Sequence, residues 1–145
     1  MLTQRTPAGI AYDRAGPRGD PTVVLIHAGI ADRRMWQDQW SALAAEHDVV
    51  RLDLRGFGES TNRPLGALSP RDDVLDTLAH LDVERFALVG ASYGAGVAVE
   101  VALARPGQVS SLALIAPGGC LIAEMTPDLL AFVDAEQAAL ESGDI

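Results

Sequence analysis

The chain has 145 residues, of which 48% are hydrophobic and 21% charged. That is the size and composition of one globular domain, and it excludes collagen-like, low-complexity and disordered classes. A net charge of −9 argues against nucleic acid and against an anionic membrane surface, since both favour a basic footprint. The single cysteine, Cys120, excludes an intramolecular disulfide framework. The first residues show no apolar signal-peptide core, and no apolar run approaches 18 residues. A cytoplasmic protein with a reduced thiol is therefore expected. The charge is uneven: no basic residue follows Arg105, whereas Glu124, Asp128, Asp134, Glu136, Glu141 and Asp144 all lie beyond it. A solvated helix face is the expected use of such an acidic tail.

In chain order, a first strand is expected within residues 2–6 and a second over 9–13, ahead of the turn-rich stretch 14–21. Residues 22–27 (TVVLIH) form a largely apolar run rich in β-branched residues, the mark of a strand buried on both faces. Met35, Trp36, Trp40, Leu43 and Ala44 recur at helical spacing, which predicts a helix over 35–46. Residues 49–54 (VVRLDL) predict the next strand, and a Gly-, Ser-, Asn- and Pro-containing loop follows over 55–68. Ser69-Pro70-Arg71-Asp72 then opens a helix, with a capping serine, a proline suited to the first turn and an acid at the positive end of the dipole. A strand over 85–89, an apolar helix over 92–105 and a strand over 112–116 come next. Thr126-Pro127-Asp128 starts a last helix. Alternating strands and helices predict an α/β fold: a mostly parallel sheet, helices on both faces, the later strands buried.

The segment with chemical content is Gly90-Ala91-Ser92-Tyr93-Gly94. It fits Gly-x-Ser-x-Gly, and it stands where a buried strand turns into a helix, as a nucleophile elbow requires. The bland alternative is a glycine-rich turn with a capping serine. Two further landmarks precede it, His27-Ala28-Gly29-Ile30 after one strand and Asp53-Leu54-Arg55-Gly56-Phe57-Gly58-Glu59-Ser60 after the next. In order and spacing the three motifs resemble the serine-nucleophile branch of the α/β-hydrolase superfamily, N-terminal part only. The second landmark matches the family's Asp-x-Arg-Gly-x-Gly-x-Ser at each fixed position.

The resemblance implies roles residue by residue. Ser92 would be the nucleophile. The backbone N–H of Tyr93 and that of Gly29 would form the oxyanion hole. Ala28 departs from the glycine usual in the family, which leaves Ile30 as an alternative donor. His27 would brace the oxyanion loop rather than act as base, and Asp53 and Arg55 would tie down a tight turn. His47 and His80 are expected at or near the surface, and Trp36 and Trp40 in the core. No metal or cofactor is implied. The Gly-x-Gly-x-x-Gly of a dinucleotide site and the phosphate-binding P-loop are both absent from the sequence.

What the resemblance also implies, and the sequence lacks, is a histidine after the nucleophile, since His80 is the last. Glu100 lies eight residues along the same helix, about 12 Å away, too far to serve as the base of Ser92. The expectation is a hydrolase core truncated after about the sixth strand. Residues 1–122 would be its N-terminal part and 123–145 the start of a helical cap. The strand at 112–116 would then be an exposed sheet edge, open to self-association or to a complementing C-terminal half. The expected substrate is a small ester, lactone or similar carbonyl compound, cleaved through an acyl-enzyme. A non-catalytic binding module and an inactive fragment are the alternatives.

Overall fold

The computed structural model describes residues 3–60, 69–118 and 126–142. Among the described residues six strands form one sheet: β1 (Gln4–Arg5), β2 (Ala11–Ala15), β3 (Thr22–Ile26), β4 (Val49–Leu52), β5 (Phe86–Ala91) and β6 (Val109–Ile115), in the order β1-β2-β4-β3-β5-β6. The pairs β4–β3, β3–β5 and β5–β6 are parallel, and β1–β2 and β2–β4 are antiparallel. The described helices are α1 (Gln37–Glu46), α2 (Pro70–His80), α3 (Tyr93–Ala104) and α4 (Pro127–Ser142). A 3-10 turn, Arg33–Trp36, leads into α1.

The unbroken apolar run of β3 follows from its position at the sheet centre, where both faces are covered. Val24 and Ile26 point into one core layer with Leu52, Phe86 and Leu88, under α2 and α3 through Val74, Leu78, Val97 and Val101. Leu25, one residue out of phase, points into the other layer with Val49, Ala91 and Trp36, flanked by Trp40 and Leu43. Helices therefore cover both faces. Arg51 is a charged residue in a buried strand. It donates to Asp13 at 2.9 Å and to Gln37 at 3.2 Å, and its guanidinium lies 4.3 Å from the centre of the Trp40 ring.

The helix starts follow their sequence signals. The Ser69 side chain accepts from the Asp72 N–H at 3.2 Å, and Pro70 opens α2. α3 buries Gly94, Ala95, Val97, Ala98 and Val101, a face of small residues that lets it approach the sheet closely. At the amino end of the strands Asp48 is fully buried. It accepts from Arg14 at 2.6 Å, Arg18 at 3.1 Å and Thr22 at 2.9 Å.

One expectation needs correction. β6 is apolar yet not buried, with Leu112 40% and Ile115 50% exposed. It is the outermost strand, paired with β5 alone among the described residues, so the expected exposed edge is present. Among the described residues no helix is long and apolar enough to cross a membrane.

Candidate active site

The site lies where the parallel strands end. β5 runs through Gly90 and Ala91, the chain turns at Ser92, and α3 begins at Tyr93. Ser92 takes φ 49° and ψ −114°, a conformation that costs a non-glycine residue about 1–3 kcal/mol. The surroundings hold it there. Its N–H donates to the Ile115 carbonyl at 2.9 Å, and its own carbonyl accepts from Ala95 at 2.9 Å.

The flanking glycines are steric requirements. A Cβ on Gly90 would stand 2.4 Å from the Gly94 oxygen, and one on Gly94 would stand 2.4 Å from the His27 oxygen. The elbow thus presses against the end of β3, and Ser92 is left exposed at the start of a helix. First-turn N–H groups have no partner inside their own helix, and the dipole there favours negative charge.

The loop after β3 closes over the elbow. A Cβ on Gly29 would lie 3.2 Å from the Tyr93 Cβ, so the two backbones meet at the serine. Ile30, next to Gly29 in this loop, is 73% exposed. His27 is fully buried beneath this loop. Its Nδ1–H donates to the Ala28 carbonyl at 2.7 Å, and its Nε2 accepts from the Leu54 N–H at 2.9 Å. Both ring nitrogens are occupied, which defines a neutral imidazole. Phe57 packs on that ring edge-on, 5.2 Å between centres, and continues to Tyr93 at 6.3 Å.

Burial holds the His27 pKa below its ordinary value of 6.5, against the raising effects of the Ala28 bond and of Asp53 and Asp32. A depressed native pKa means the unfolded chain binds this proton first, so stability falls as acid is added. The loss begins near pH 6.5 and is complete once the pH passes the lowered native value. Urea midpoints are expected to drop between pH 7.5 and 5 in the wild type and to flatten in His27→Gln. An unchanged slope in that variant would reject the assignment.

A second landmark binds the loop from below. Asp53, fully buried at the end of β4, accepts from the Arg33 N–H at 2.7 Å, the Glu59 N–H at 2.8 Å and the Arg33 guanidinium. Arg33 also reaches Asp13 at 3.1 Å, Glu59 at 3.2 Å and Thr3 at 3.2 Å. The Ser60 hydroxyl donates to the Asp53 carbonyl at 2.6 Å and accepts from the Ala11 N–H at 2.8 Å. Arg55 pairs with Asp73 of α2, with one contact at 2.9 Å. Asp53 therefore ties the 53–60 turn, as expected, whereas Arg55 ties that turn to α2. Arg33, the centre of the network, was not singled out by the sequence.

Ser92 opens on a cavity of about 400 Å³. Tyr93, Gly96, Val97 and Glu100 of α3 form one wall, and Leu129, Phe132 and Val133 of α4 another, with Pro70 and Pro117 between. Desolvation, and secondarily the Glu100 carboxylate, push the Tyr93 phenol up. Asp128, though on α4, does not line the cavity. Cys120 and Glu124 lie outside the described residues.

The chain's other two histidines stand elsewhere. His47 is exposed between α1 and β4, at the amino end of the strands. His80 is exposed at the far end of α2, edge-on to Tyr12 at 6.2 Å. Trp36 is buried as expected, whereas Trp40 is only half-buried. Among the described residues no three His, Cys, Asp or Glu side chains are grouped to hold a metal ion.

This strand-turn-helix beneath a β3 loop is a known arrangement, and the chain belongs to the alpha/beta hydrolase fold family, whose model matches residues 21–141. It is 41% identical over 112 residues to the dihydrolipoyllysine-residue acetyltransferase component of the acetoin cleaving system of Pseudomonas putida, which spans 74% of this chain and 30% of that protein. It is 35% identical over 97 residues to 3-oxoadipate enol-lactonase 1 of Acinetobacter baylyi, 65% of this chain and 36% of that one. The crystal structure of a hydrolase from Pseudomonas aeruginosa superposes with a TM-score of 0.75 at 30% identity, over 95% of this chain and 51% of the other. The chain thus spans about a third of the length of these curated relatives.

Proposed function

We propose that this chain carries the nucleophile and oxyanion hole of a serine hydrolase acting on an ester, a lactone or a similar carbonyl compound. Ser92 Oγ attacks the carbonyl carbon, and the charge that develops on the carbonyl oxygen is met by the N–H groups of Tyr93 and Gly29. Such preorganised donors are worth about 10²–10³ in rate each. Collapse of the adduct breaks the carbonyl C–O bond and expels the alcohol (in a lactone, the ring oxygen, which stays attached through the opened chain), and water then hydrolyses the acyl-serine to the acid and free Ser92. α4 is the start of a lid over the acyl group. The observation that supports this most is the conformation of Ser92, held at positive φ between two glycines that admit no Cβ, at the mouth of the cavity.

The proton from Ser92 needs an acceptor. His27 is spent on Ala28 and Leu54, and His47 and His80 stand away from the cavity. In this reading the base comes from outside the chain's own histidines. A serine without its base is a weak nucleophile.

Fluorophosphonate labelling followed by intact mass tests the proposal. One slow adduct is expected on the wild type, accelerated by added imidazole as a surrogate base, and none on Ser92→Ala. Equal labelling of both proteins would reject Ser92 as the nucleophile. No adduct on folded protein, even with imidazole, would leave a pocket that binds without reacting.

A further inference from the structure

Among the described residues, the lining of the cavity beside Ser92 carries charge of one sign only. Glu100 is the one charged side chain among the described residues that line it. The walls around it are apolar: Tyr93 and Val97 on its own helix, Phe132 and Val133 on α4. Arg71, whose charge feels Glu100, is not in the lining. It is committed to Asp72, with contacts of 2.8 and 3.1 Å. No Lys or Arg occurs after Arg105, so neither α4 nor the segment leading to it contributes a cation. Phe132, which lines the cavity, is 64% exposed.

We propose that Glu100 sets the charge of the substrate: the site takes uncharged carbonyl compounds with an apolar body and rejects those that carry a carboxylate. This rests on the cavity being the acyl or leaving-group pocket of Ser92. The helical register explains the placement. Tyr93, Gly96, Val97 and Glu100 are spaced 0, 3, 4 and 7 along α3 and share one face. Ser92 stands at one end of that face and Glu100 about two turns on, so a ligand lying along the helix brings its distal end to the carboxylate. Glu100 is exposed, so water screens part of the repulsion and the selection is a preference of modest size. Glu100 is a specificity residue here and takes no part in bond-making.

The test uses equilibrium binding and does not depend on turnover. Hexanamide and adipate monoamide have the same chain length and differ in a terminal carboxylate. Each is titrated into the ¹⁵N-labelled chain, read at the amides of Tyr93, Gly96 and Val97. Hexanamide is expected to bind about tenfold more tightly than the monoamide to the wild type, a factor in keeping with one partly screened like-charge contact. Glu100→Gln, on an exposed helix face, should bring the two within about twofold by improving the anion alone. Equal affinities in the wild type, or a gap that survives Glu100→Gln, overturn the proposal. If neither amide moves these resonances, the cavity is not the substrate pocket, and the proposal falls with that reading. If hexanamide binds as expected but Ser92 takes no phosphonate label, the nucleophile assignment fails while the charge selection stands.

Discussion

Arg33→Met is expected to destabilise the fold by about 3–5 kcal/mol, the usual cost of removing one partner from a buried ion pair. The guanidinium is only 6% exposed, and it joins Asp13 of β2, Asp53 at the end of β4 and Glu59 of the following loop. Burial would by itself lower the pKa of this side chain. Asp53 and Asp13 outweigh it and raise the pKa, so the cation is held charged. Met fills the space but leaves the Asp53 carboxylate fully buried, with backbone N–H groups as its remaining donors. Against a typical total of about 5–15 kcal/mol the loss is severe. Urea unfolding followed by tryptophan fluorescence measures it. Arg33→Met with Asp53→Asn should recover part of the loss, because the second change removes the stranded charge. A loss below about 1 kcal/mol for Arg33→Met would show that the pair contributes little beyond its own desolvation.

Gly94→Ala is the second large effect, and it concerns shape rather than charge. The new methyl would lie 2.4 Å from the His27 oxygen and 2.5 Å from the Ile26 oxygen. Both are backbone atoms at the end of the central strand, so no side chain can swing aside. Overpacking of this kind costs about 1–3 kcal/mol, and more where the backbone must move. Relaxation has to push α3 away from β3, which carries Tyr93 away from Gly29. Stability and the rate of phosphonate labelling at Ser92 should therefore fall together. Gly107→Ala is the control, because a Cβ there meets nothing within 4 Å. Labelling at the wild-type rate in Gly94→Ala would mean that the elbow does not depend on this close approach.

How much of this was legible in the sequence depends on how local each signal is. β3 was plain, since VVLI is apolar without a break, and the Ser69 cap of α2 was plain for the same local reason. The elbow was legible because steric demand leaves glycines on both sides of Ser92. Strand ends were less so. β5 runs on through Gly90 to Ala91, since pairing with β3 and β6 overrides the low strand preference of glycine. β6 begins at Val109, because Ser110 tolerates the strand by donating to the Phe86 carbonyl at 3.1 Å. The start of α1 was misjudged by a 3-10 turn, which Asp32 caps by accepting from the Arg34 N–H. Arg33 carried no signal, because its partners are 20 and 26 residues away and ion pairs between distant segments leave no periodic trace. Glu100 could have been found. Its distance from Ser92 excludes proton transfer, but its spacing from Tyr93 and Val97 puts it on the same face, and that was the property to read.

The strand order has a kinetic consequence. β3 lies between β4 and β5, so Val24 pairs with both Val50 and Leu88. The bond that seats His27 under Leu54 closes 27 residues of chain, and the Gly29–Tyr93 contact closes a longer loop still. Closures of this length lose entropy before any contact rewards them, and they slow folding. Helices α1, α2 and α3 can form within their own segments. The meeting of Gly29 with Tyr93 cannot, since the two follow β3 and β5, strands that must first be brought together. Refolding followed by helix signal should thus run ahead of refolding followed by ligand binding at the cavity. The site is the last thing this chain acquires.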